Sequence, residues 1–82
     1  MRQERETRMH EEMMVKFWNK RFVPGRRVCL IDGSGISTRT LTRADIINGV
    51  AMVYLADAFG PVRLSRVRPV MSVMLPVVEE II

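Results

Sequence analysis

The chain changes rhythm once, at Pro24-Gly25, and that change limits what it can fold into. Before it, Glu4, Arg8, Glu12, Lys16 and Lys20 stand four apart, so most neighbours along that line carry opposite charge. Met9, Met13 and Phe17 share another helical face, which Met14 and Trp18 widen. No Gly or Pro interrupts residues 1–21, so the spacing predicts one amphipathic helix that stops at Pro24-Gly25.

After that break the period drops to two and turn residues recur. Arg27-Val28-Cys29-Leu30-Ile31 reads as a compact apolar strand, turned by Asp32-Gly33-Ser34-Gly35. From Ile36 to Arg43 the alternation is strict, with Thr38, Thr40 and Thr42 on one side and Arg39, Leu41 and Arg43 on the other. Ala44 to Gly49 interrupts the run as a helical turn, with Asn48-Gly49 as a turn signal. Val50 to Ala56 is the most apolar strand and is expected at the centre of a sheet. Val62 to Leu64 and Val67 to Val70 follow, and Pro69 confines the last strand to an edge because it cannot donate to a ladder. Three units result: helix 1–21, a strand region 22–70 and an apolar tail 71–82.

With 82 residues this is one domain, and a chain of that size buries only about 60–65 % of its unfolded surface. Its core is thin, which favours a partner or a second copy, a dimer before higher oligomers. The sole cysteine, Cys29, excludes an intramolecular disulfide, and with His10 as sole histidine it excludes a Cys/His zinc site within one chain. That usage fits a reducing cytoplasm, the host's if the chain is phage-encoded. The longest apolar run, Pro69 to Val78, is broken by Ser72 and Pro76 and is too short to span a bilayer, so no membrane partner is expected.

Four or five short antiparallel strands are too few for a sandwich, and a bent sheet closing on itself is the usual solution. Phe22-Val23-Pro24-Gly25-Arg26-Arg27-Val28, the Thr/Arg strand, the apolar strand ending near a Gly turn, and Gly60-Pro61-Val62-Arg63-Leu64-Ser65-Arg66-Val67-Arg68-Pro69-Val70 resemble small SH3-like barrels. The pattern is also similar to small proteins of phages and other mobile elements. The resemblance covers about residues 22–70. It implies a mainly β fold behind an N-terminal helix, with a one-turn helix at Leu64-Ser65-Arg66-Val67 before a short last strand. Proline-rich peptide binding does not follow from it, since the strand region offers only Tyr54 and Phe59 for an aromatic groove.

Catalytic groups are scarce. Asp32, Asp45 and Asp57 each sit in or beside a turn, where Asp makes local hydrogen bonds. Cys29 reads as a small buried hydrophobe, and Gly33-Ser34-Gly35 lacks the spacing and following helix of a phosphate loop. No enzyme activity, cofactor or metal is expected. The helix face of Met9, Met13, Met14, Phe17 and Trp18 has three readings: a cap on the chain's own strands, a dimer contact, or a dock for a foreign protein.

Eleven of the 13 basic residues are arginine, and the strand region holds the whole net charge of +4, because the helix excess is offset by Glu79 and Glu80. Arg39, Arg43, Arg63, Arg66 and Arg68 could form a solvated basic surface, a phosphate-tracking face or a contact for an acidic protein. The first functional expectation is therefore a non-enzymatic protein–protein interaction module, in the manner of a mobile-element accessory factor that modulates a host protein. The alternative is a small nucleic-acid-binding protein using the arginine-lined face.

Overall fold

A computed structural model describes residues 2–70, and the apolar tail 71–82 lies outside the described residues. The first element is α1 (Arg2–Arg21), which carries Lys20 and Arg21 in its last turn, where their charge offsets the helix dipole. One further bond, Phe22 N–H to Trp18 O at 2.8 Å, extends the spiral before Gly25 takes φ 98° and breaks it.

Six short strands follow. They are β1 (Arg27–Leu30), β2 (Ser37–Arg39), β3 (Asp45–Ile47), β4 (Val50–Tyr54), β5 (Pro61–Arg63) and β6 (Val67–Pro69), with a single 3-10 turn (Leu64–Arg66) before β6. They pair antiparallel into two three-stranded sheets, β2-β1-β6 and β3-β4-β5. Apart from the turns that connect them, the sheets are joined where the chain leaves β2: Thr40 bridges Leu55, flanked by Leu41 N–H to Tyr54 O at 2.8 Å and Ala56 N–H to Arg39 O at 2.9 Å. The described residues thus form a small α+β protein of one helix and two sheets, without a closed barrel. A single bridge between the ends of β2 and β4 makes a seam where a closed barrel would need a continuous ladder.

Two local expectations need correction. Residues 44–49 form no helical turn: Asp45–Ile47 is a strand, and Asn48-Gly49 folds it onto β4. Both turn residues take positive φ, 53° and 78°, which is the type I′ geometry that matches strand twist and favours Asn-Gly. Cys29, in turn, is only half-buried, because period two sends its neighbour Val28 inward and leaves Cys29 on the outer face between Ser37 and Arg68.

The core lies between the sheets and under the helix. Val28, Ala44, Ala51, Val53, Leu55, Leu64 and Val67 are buried with Trp18 from α1, and Met14, Val15, Phe22, Leu30, Ile46 and Val62 pack around them. Thr40 is as buried as the apolar residues, and its hydroxyl accepts the N–H groups of Gly25 and Arg26, both at 3.1 Å. That bond satisfies the backbone at the helix-to-strand break and clamps it to the seam.

Three polar contacts hold α1 to the second sheet. The Asn19 amide donates to Ala44 O at 2.9 Å and accepts Ala44 N–H at 2.8 Å. Glu11 Oε1 accepts Ala51 N–H at 2.7 Å. In a two-residue hairpin the closing pair, Ile47 and Val50, is the hydrogen-bonded one, so Ala51 turns its N–H away from β3. Pairing with β5 ends at Met52, so this N–H would be stranded without Glu11.

Candidate functional site

The helix face expected to act as one surface is divided in two. Each residue turns the helix by about 100°, so the ridge Met9-Met13-Phe17 and the ridge Met14-Trp18 diverge around the cylinder. With Asn19 and Glu11 anchored to the sheet, Met14 and Trp18 turn inward. Met9, Met13 and Phe17 stay on the far side, exposed by 57, 64 and 65 %. An apolar groove of about 460 Å³ runs beside them. Its walls are Met14, Phe17, Trp18 and Phe22 from the helix side and Leu64 and Val67 from the strand side. Arg21, whose guanidinium stands 5.7 Å over the Phe17 ring, also lines this groove. Phe17 thus belongs to both the groove and the outer ridge, and it links them into one apolar surface.

The five arginines expected on a single face are also distributed. Arg39 on β2 and Arg68 on β6 lie on the outer side of the first sheet, where Arg68 stands opposite Cys29. Arg63 belongs to the second sheet, in the row Asp45-Met52-Arg63, and Arg43 is exposed on the connection into β3. The separation follows from the switch at Thr40: residues up to Arg39 pair with β1, whereas Leu41 already bonds to Tyr54 of β4. Arg66 sits in the 3-10 turn, whose carbonyl accepts Ile31 N–H at 2.9 Å.

Arg27, outside the five arginines expected on the face, joins Arg39 and Arg68 on the outer side of the first sheet. Arg27 stands directly opposite Arg39 in the β1–β2 ladder and on the same side as Cys29. Folding the chain about Gly33 would have placed it there, since the hairpin centre fixes every pair of the ladder. Arg27, Ser37, Thr38, Arg39, Ala56 and Asp57 line a shallow groove at this edge. Its one carboxylate, Asp57, accepts the Thr38 hydroxyl at 3.2 Å. The loop carrying Asp57 also presents Phe59, which is fully exposed.

The other two aspartates of the strand region are engaged locally. Asp32 accepts Ser34 N–H at 2.9 Å. The Ser34 hydroxyl, then its N–H, with a smaller contribution from the charge of Arg66, hold the Asp32 carboxyl below the ordinary aspartate range. Asp45 accepts the N–H of Ile46 at 2.8 Å. Among the described residues no group of three or more His, Cys, Asp or Glu could hold a metal ion, and no helix is long and apolar enough to cross a membrane.

Fold and surfaces together define a small α+β protein with an apolar helix surface and a basic sheet face. No family model, curated protein or solved structure matches the chain.

Proposed function

We propose that the chain is a non-enzymatic protein–protein interaction module whose docking surface is the outer ridge of α1 with the adjoining groove. The observation that carries this reading is the exposure of Met9, Met13 and Phe17, three large apolar side chains in one line, on a helix whose opposite face is already satisfied by the core. A monomer gains nothing from leaving that line in water, and contiguous apolar surface of this kind marks contact with another protein. Methionines suit such a surface because they repack without strain.

The occupant that fits best is a second copy of the chain. The acidic residues of α1 all precede Met13, and Lys16, Lys20 and Arg21 follow it. Antiparallel pairing centred on Met13 lays Phe17 on the partner copy's Met9. It also brings the exposed Glu12 within about 3 Å, along the axis, of the partner copy's Lys16. Parallel pairing would set the basic halves against each other. Light scattering coupled to size exclusion tests this directly. The expected result is a dimer that Phe17→Asp converts to a monomer with an unchanged circular dichroism spectrum; a wild-type monomer at every concentration overturns it.

We further propose an open SH3-like barrel as the underlying architecture. Its support is the central β1 between β2 and β6, the seam at Thr40 and Leu55, and the 3-10 turn before the last strand. The wider assignment to mobile-element accessory factors rests on the resemblance of residues 22–70 alone.

A further inference from the structure

We propose that the outer face of the β2-β1-β6 sheet binds single-stranded nucleic acid, with Arg39, Arg27 and Arg68 holding the phosphate backbone and Phe59 stacking on a base. This site uses none of the α1 surface, so the two proposals stand or fall separately.

The three arginines come from three neighbouring strands. Arg39 and Arg27 are direct cross-strand partners, and Arg68 lies diagonal to Arg27 across the Cys29 pair. Strands about 4.8 Å apart spread the three positions over roughly 10 Å. Each is exposed, and among the described residues their side chains make no hydrogen bond or ion pair. Like charges directly opposite each other weaken a ladder. A polyanion laid across the strands would remove that repulsion and release its own counterions. Between the guanidiniums stand Ser37 and Cys29, both small, so a backbone can approach the sheet closely. The single carboxylate at the edge, Asp57, leaves the face with a clear positive excess.

Arginine forks match phosphate and carboxylate alike, so one feature beyond the arginines favours nucleic acid over an acidic protein segment. Phe59 projects fully exposed from the loop whose Ala56 and Asp57 line the arginine groove, with no apolar neighbour demanding it. A fully exposed ring two residues along the chain from that groove offers a stacking platform, and stacking needs unpaired bases, hence a single strand.

The test is fluorescence anisotropy with a labelled oligothymidine of about 20 nucleotides, titrated across potassium chloride. Three phosphate contacts on a single strand predict a slope of log K against log salt near −2. Arg39→Ala and Arg68→Ala should each weaken binding severalfold and flatten the slope by about 0.7. Arg39→Lys should keep the slope, and Phe59→Ala should weaken binding without changing it. Arg63→Ala removes the same charge from the other sheet and should change neither. All four positions are exposed, and a thermal melt of each of the five variants verifies the fold. Absence of binding at low salt overturns the proposal, as does an Arg63→Ala effect equal to that of Arg39→Ala. Equal affinity for a polyglutamate peptide overturns it too, and would reassign the face to an acidic protein.

Discussion

Asn19 and Ala44 are joined twice, the amide of one giving to and taking from the backbone of the other at 2.9 and 2.8 Å. This pair fixes the end of α1 against the start of β3. It thereby decides that Trp18 faces the core while Phe17 faces outward.

Replacing Asn19 with Ala leaves the N–H and C=O of a buried Ala44 unpaired, a loss of about 1–3 kcal/mol. Urea denaturation should show a lower midpoint with little change in slope. Trp18, the sole tryptophan, should shift its native emission to the red as the helix end loosens.

Thr40→Val should be comparably damaging although it adds no volume. The hydroxyl accepts two backbone N–H groups at the helix-to-strand break, and valine leaves the Arg26 amide without that acceptor inside the seam. The expected cost is about 1–3 kcal/mol, and Thr40→Ser should recover most of it. Equal stability of the valine variant would show that the break needs no clamp.

How much of this was legible beforehand depends on the range of the interaction. Thr38 and Thr40 share a side opposite Arg39, as strict alternation requires, whereas Thr42, past the switch between sheets, is exposed; the edge position of β6 follows from Pro69. The Asn48-Gly49 turn was equally plain, yet its partner β3 was missed. Asp45-Ile46-Ile47 is too short to display a period, and only pairing with β4 makes it a strand. Asn19 and Glu11 reach backbone 25 and 40 residues away, and no local pattern announces contacts of that span. The division of the arginines was hidden for the same reason, since it depends on where the chain crosses between sheets at Thr40.

The Asp32 turn carries a pH signature. Its folded carboxyl is held below its ordinary value, chiefly by the Ser34 hydroxyl and N–H. A depressed acid stabilises the fold above its unfolded pKa and loses that contribution as pH falls through the folded one. The turn should therefore loosen below about pH 4. Side-chain NMR titration should place Asp32 below ordinary aspartate, and Ser34→Ala should move it back up.

Gly49 takes φ 78° with open space around its Cα. Gly49→Ala meets no neighbour, so its whole cost is backbone strain, about 1–2 kcal/mol. Thermal melting should register that loss, while the proposed dimer, whose contact is the outer ridge of α1, should persist.

The central claim is that the outer ridge of α1 seats a second copy centred on Met13. A thiol introduced by Met13→Cys in a Cys29→Ser background reports on it directly. The account predicts rapid disulfide-linked dimer formation under mild oxidation, far faster than for Arg63→Cys, at a position that is also exposed, in the same background. Cross-linking no faster at Met13 than at Arg63 would contradict it.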